Sequence, residues 1–138
     1  MNGTEEITDG YVRKDFPGGF PGDTHNAFTA EGRTKAENAM FNWLSRLLHW
    51  RKGNSVITKG SQTQFVPYQG VYVIARQYNG RTVLNVLNGK STAATMEVKR
   101  YAEVIGSNAR VKDVLTNRYY DLSKDFELRP RQVLVLEY

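Results

Sequence analysis

The chain has 138 residues, a formal net charge of +5 and 40% hydrophobic side chains, which suits one domain, or one domain with an appendage. It contains no cysteine, which excludes disulfides, thiolate metal sites and a cysteine nucleophile. No apolar run approaches the roughly 20 residues of a membrane span, and the acidic start (Glu5, Glu6, Asp9) does not read as a signal peptide.

Residues 1–31 show no helical or strand periodicity. At their centre lies Asp15-Phe16-Pro17-Gly18-Gly19-Phe20-Pro21-Gly22-Asp23, with two prolines, three glycines, two phenylalanines and two aspartates. That composition cannot continue a helix or sit inside a sheet, but it suits a bent loop displaying aromatic and acidic side chains. Such loops usually rim a site that a larger scaffold supports. With only fourteen residues before it, the loop reads as shaped to lie on a scaffold outside this sequence.

Residues 35–52 read as a helix. Ala36, Ala39, Met40, Trp43, Leu44, Leu47 and Leu48 recur at helical spacing and form one apolar stripe. Thr34 and Glu37 have capping-box spacing. Arg46, Arg51 and Lys52 gather toward the C-terminal end, where cations are favoured. Gly53 is expected to stop the helix in the left-handed conformation. Trp43 and Trp50 are read as packing residues.

From Ser55 the pattern turns to β. The expected strands cover 55–58, 62–68, 70–78, 81–88, 94–105, 110–116, 119–121, 125–128 and 131–137. Asn79-Gly80 marks a type I′ hairpin, since both central positions require positive φ. Pro67 should mark an edge or a bend. Short strands punctuated in this way argue for an antiparallel sandwich. Val71–Ala75 and Val83–Leu87 are apolar on both faces, so their sheet needs two covers. One would be the opposite sheet. The other would be the helix at 35–52 or a contact outside this sequence. Joint exposure of Tyr72, Ile74, Leu84 and Val86 would contradict both.

The run from Asp9 to Asn26, DGYVRKDFPGGFPGDTHN, resembles the segment after the eighth barrel strand in the alpha-amylase superfamily (glycoside hydrolase family 13). The resemblance is to its neopullulanase and cyclomaltodextrinase type, the Bacteroides starch-utilisation type included. Asn26-Ala27-Phe28 through Gly32-Arg33-Thr34, then Glu37-Asn38 and Phe41-Asn42, is similar to the lead into that family's last barrel helix. Asp113–Thr116, Tyr120–Leu122 and Arg129–Glu137 resemble the closing strands of its C-terminal domain.

The resemblance implies a mainly β fold: one long α-helix followed by an antiparallel Greek-key β-sandwich. Residues 1–53 would be the last loop and helix of a catalytic (β/α)8 barrel, and residues 54–138 the sandwich. The parent would be a retaining α-glycosidase acting on starch, maltodextrin, cyclodextrin or pullulan, in the periplasm or cytoplasm of a bacterium, with room for a dimeric state. Retention needs two carboxyl groups roughly 5 Å apart. The family's catalytic carboxylates lie upstream of the matched segment, so no catalytic residue is carried onto this chain, which should be inactive alone. Neither metal nor cofactor is implied. The histidines, His25 and His49, lack ligand spacing.

Barrel enzymes build their sites from loops of the kind matched by residues 4–31. Arg13, Asp15, Phe16, Phe20 and Asp23 are therefore the candidate substrate-binding residues, being of types that stack on sugars or bond their hydroxyls. A structural reading stands beside that one, in which Arg13 and Asp15 pair and the phenylalanines pack beneath the loop. Two other functions compete with the enzyme-fragment reading. One is a stand-alone carbohydrate-binding module using Tyr68, Tyr72, Tyr78, Tyr101, Tyr119 and Tyr120. The other is a basic nucleic-acid-binding protein, disfavoured because the cations are scattered rather than interleaved with aromatics.

Overall fold

The computed structural model describes residues 15–107 and 110–138. By contact the chain divides into two units, Met1–Leu44 and Ser45–Tyr138.

In the first unit, the described residues before Lys35 form turns without helix or strand. Helix α1 (Lys35–Gly53) begins here and runs into the second unit. Its start is the capping box expected from Thr34 and Glu37. Glu37 Oε2 accepts from the Thr34 N–H at 2.8 Å and from its hydroxyl at 2.9 Å, while the Glu37 N–H donates to Thr34 Oγ1 at 3.3 Å. The end differs from expectation. Gly53 is the last helical residue and does not take positive φ. Asn54 leaves the helix in extended conformation instead, and its side chain accepts the Val56 N–H at 2.9 Å. That cap starts α2 (Ser55–Lys59), where the β-rich Ser-Val-Ile-Thr had predicted a strand.

The second unit is antiparallel throughout. Its strands are β1 (Ser61–Gln64), β2 (Val71–Tyr78), β3 (Arg81–Asn88), β4 (Ala94–Met96), β5 (Arg110–Asp113), β6 (Tyr119–Asp121), β7 (Phe126–Leu128) and β8 (Val133–Glu137). One six-stranded sheet has the order β1-β2-β3-β8-β5-β6, and β4 pairs with β7 in a second sheet. The last strand returns to lie between β3 and β5, a non-local closure of Greek-key type. The β2–β3 hairpin turns at Asn79-Gly80 with φ of 49° and 73°, the positive values a type I′ turn demands. Pro67 lies in the bend between β1 and β2, clear of the ladder.

Three further expectations fail, the first being the strand expected at 62–68, which stops at Gln64. Residues 94–105 are not one strand: β4 ends at Met96, and a 3-10 turn (Val98–Tyr101) and α3 (Ala102–Ile105) follow. Burial of Val98, Tyr101, Val104 and Ile105 repeats at helical spacing, so that segment buries one side of a coil of turns. The strand expected at 110–116 stops at Asp113, where a turn is held by that buried side chain. Asp113 Oδ1 accepts from the N–H groups of Leu115 (3.3 Å) and Val135 (3.1 Å), and Oδ2 accepts from the Thr116 hydroxyl at 2.6 Å.

The main core lies between the sheets. Val71, Val73, Leu84, Val86, Leu134 and Leu136 of the large sheet meet Ala94, Met96 and Leu128 of the small one, with Tyr101 and Ile105 closing one end. The opposite face of the large sheet carries a second cluster, in which Val83 and Val135 lie with Val56 and Leu115. Leu47 and Trp50 from the end of α1, and Ile57 of α2, pack against it. The Trp50 indole N–H donates to Glu137 Oε2 at 3.1 Å, and the Arg46 guanidinium to the Leu115 carbonyl at 3.1 Å. The doubly apolar hairpin is thus covered twice: Leu84 and Val86 are buried, and Tyr72 and Ile74 half-buried on the other face. The second cover is supplied by the last turns of α1 together with α2.

Candidate functional site

The loop of residues 15–34 is built by its own polar groups. Asp23 Oδ2 accepts from the backbone N–H of Gly18 at 2.7 Å and of Phe20 at 2.9 Å, so one carboxylate ties both glycine-rich turns together. Those bonds, Phe20's first and then Gly18's, hold the Asp23 carboxyl below its ordinary 3.8. Gly18 has φ of +109°, and a Cβ there would come within 2.4 Å of the Asn26 side chain. Only glycine meets both conditions. Ala27 N–H donates to the Pro17 carbonyl at 2.9 Å and closes the loop's far side.

Two side-chain clasps join this loop to the first turns of α1. His25 Nε2 lies 2.8 Å from Glu37 Oε1, and its Nδ1 lies 3.0 Å from the Thr24 hydroxyl. The Thr34 N–H foremost, and then the bond from His25, hold the Glu37 carboxyl below its ordinary 4.5. Arg33 Nε donates to Asn38 Oδ1 at 2.9 Å and its guanidinium to the Ala27 carbonyl at 3.2 Å. The same guanidinium lies 3.9 Å above the Phe41 ring.

Between loop and helix lies a concavity of about 520 Å³, lined by Phe16, Pro17, Ala27, Phe28, Arg33, Glu37, Met40 and Phe41. Its floor is apolar, and Phe16 and Phe28 meet edge to face with ring centres 4.8 Å apart. Phe16, Phe20, Phe28, Met40, Phe41, Trp43 and Leu44 all stay exposed, and α1 has no buried residue along its length.

The candidate substrate residues separate on this geometry. Phe16 lines the concavity, while Phe20 is exposed on the loop. Asp15 is exposed. Asp23 holds the loop's backbone through Oδ2. Arg13 lies outside the described residues, and with it the pairing expected with Asp15. Sequence reasoning missed His25, Phe28, Arg33 and Phe41. The signal for Phe41 was its place at the flank of the helical stripe, three residues before Leu44. The contacts of His25 and Arg33 carry no local pattern.

Asp23 and Glu37 are held in their charged forms rather than poised as acids. A general acid near neutrality needs a raised pKa, and Asp23 and Glu37 are shifted the opposite way by hydrogen bonds to their charged forms. Among the described residues, no group of three His, Asp or Glu side chains stands ready for a metal ion.

Comparison with known proteins decides the family. Residues 62–137, more than half of the chain, match the sequence model of the cyclo-malto-dextrinase C-terminal domain. The chain belongs to that family. Among solved structures, AmyP in complex with maltose matches with a TM-score of 0.64 and 20% identity over 75% of this chain. The maltogenic alpha-amylase AmyB from Thermotoga neapolitana matches with a TM-score of 0.57 and 21% identity over 74% of it. The trehalulose synthase MutB from Pseudomonas mesoacidophila matches with 0.58 and 19% identity over 81%. At these identities the likeness shows a shared fold. The chain spans about a fifth to a quarter of the length of these proteins, 21%, 26% and 19% respectively. The matched residues take in all strands of this cyclo-maltodextrinase C-terminal domain apart from the start of β1, whereas the loop and α1 precede them.

Proposed function

We propose that this chain is the C-terminal portion of an α-glucan hydrolase. In this reading residues 1–53 are the last loop and helix of a catalytic (β/α)8 barrel, and residues 54–138 are the sandwich that buttresses it. The carrying observation is the apolar surface of α1. A 19-residue helix with no buried side chain displays Met40, Phe41, Trp43 and Leu44 beside an apolar concavity. An exposed apolar area of that kind marks a surface made for a partner. A barrel packs its outer helices on strands through such stripes, which supplies the partner's chemistry. The loop then lies at the substrate cleft, with Phe16 and Phe20 as stacking faces and Asp15 as a hydroxyl acceptor. Starch, maltodextrins, cyclodextrins and pullulan are the substrate class. Hydrolysis requires the barrel's own carboxylates, and the chain by itself performs none.

The test is reassembly. A separately produced barrel portion of the parent, ending before this segment, should bind the chain and gain maltooligosaccharide hydrolysis. Leu44→Asp together with Met40→Asp should abolish binding while leaving the sandwich's unfolding transition in place. Cleavage of maltooligosaccharides by the purified chain alone would overturn the proposal, as would indifference of the barrel to its addition.

A further inference from the structure

Edge strand β6 of the large sheet carries a second aromatic feature. Tyr119 and Asp121 point to the same face, since strand residues alternate, and their Cα atoms are spaced roughly 6–7 Å apart. Tyr120 points to the other face, where its ring meets Phe126 with centres 5.6 Å apart. The middle residue thus anchors the strand in the core and holds the outer two in fixed register. Tyr119 is 58% exposed, and the Arg110 guanidinium is stacked over one face of its ring, 4.2 Å from the centre. Asp121 is itself fixed: its Oδ1 accepts from both the N–H (2.9 Å) and the hydroxyl (2.6 Å) of Ser123. Arg110, Tyr119, Tyr120, Asp121 and Ser123 line a concavity of about 440 Å³.

We propose that this face of β5 and β6 is an α-glucan-binding site separate from the loop of residues 15–34. A sugar ring has apolar C–H faces and a rim of hydroxyls. The tyrosine face turned away from the guanidinium takes the sugar's face, and Arg110 and Asp121, paired across β5 and β6, take the rim as donor and acceptor. Tyr119 has the low conformational freedom that makes an economical platform, and Arg110 and Asp121 are already ordered by their neighbours, so little entropy is lost on binding. The choice of α-glucan rests on the proposed function, because the family's substrate class is what brings such chains to this surface. The site would tether the protein to polymer and leave bond cleavage elsewhere.

The full chain is tested by retardation in gels containing amylopectin and by titration with maltoheptaose, with cellohexaose as the β-linked control. Tyr119→Ala should weaken binding at least about tenfold. Tyr119→Phe should preserve it, and Tyr68→Ala, which removes a tyrosine stacked by Arg100 elsewhere, should leave it unchanged. Retardation should persist at high salt. Equal binding by Tyr119→Ala, no retardation of the wild-type chain, or loss of binding in salt (the mark of an anion site) would each overturn the inference. Barrel reassembly is read separately. A chain that joins the barrel but ignores amylopectin defeats this inference alone. A chain that binds amylopectin through Tyr119 but never joins a barrel supports the inference and defeats the reading of the parent.

Discussion

The sandwich and the loop-and-helix unit reach order by opposite routes. In the sandwich, sixteen residues form one buried cluster between two sheets, and a second cluster backs the larger sheet. Its buried polar groups, such as Asp113, serve turns at the edge of that core. In the loop, Ala27 is the one buried hydrophobic residue among those described before Lys35. Its order comes from exposed carboxylates bonded to backbone, from His25 on Glu37, and from Arg33 over Phe41. Apolar burial is non-directional and strong in aggregate, whereas exposed hydrogen bonds compete with water and contribute little each. The contrast is between a unit that buries its apolar side chains in its own core and one whose described apolar side chains mostly stay exposed.

The sharpest way to break that contrast is to truncate a leucine in each. Leu128→Ala, at a fully buried position, should lower the stability of the chain by about 2–5 kcal/mol in denaturant unfolding. Leu44→Ala, at an exposed one, should change it by no more than about 0.5 kcal/mol. Equal effects would mean that the helix stripe is already part of this chain's own core. A smaller effect is expected from Asp113→Ala, which leaves the Leu115 and Val135 N–H groups without their acceptor. The loss should be about 1–3 kcal/mol, again in denaturant unfolding, since unpaired buried donors forfeit their hydration.

The smallest effect is local and depends on pH. Asp23 and Glu37 both have folded pKa values below their ordinary 3.8 and 4.5. Their contribution to order is therefore complete above those values and lost as pH falls through the lower folded ones. On acidification below about pH 4, the protection of the Gly18, Phe20 and Thr34 amides, taken against the intrinsic exchange rate at each pH, should fall while the β2 and β3 amides stay protected. Loss of both regions together would show that the loop's clasps are coupled to the sandwich.

Much of this was legible in the sequence wherever a local rule governs. The capping box at Thr34 and Glu37, the stripe of α1 and the Asn79-Gly80 turn needed only spacing and backbone sterics. The double apolarity of β2 and β3 announced a second cover. The errors fell where local preference and context disagreed. Val56, Ile57 and Thr58 favour strands, yet the Asn54 cap and the burial of Val56 against Val83 make them helical. Glu97 to Ile105 is rich in strand formers, yet helical spacing lets Val98, Tyr101, Val104 and Ile105 reach the core together. In the candidate site, the bonds from Gly18 and Phe20 to Asp23 had no signal in the sequence.

Residue order alone therefore set the chain's periodicities, its turns and the family it resembles, because these depend on neighbours within a few positions. Only the tertiary structure decided which carboxylates are spent on backbone, which of the tyrosines remain exposed, and that α1 displays Met40 to Leu44 while Leu47 and Trp50 pack on the sheet. Those outcomes depend on groups brought together from distant parts of the chain, and competition between water and protein for each side chain is settled only once they meet.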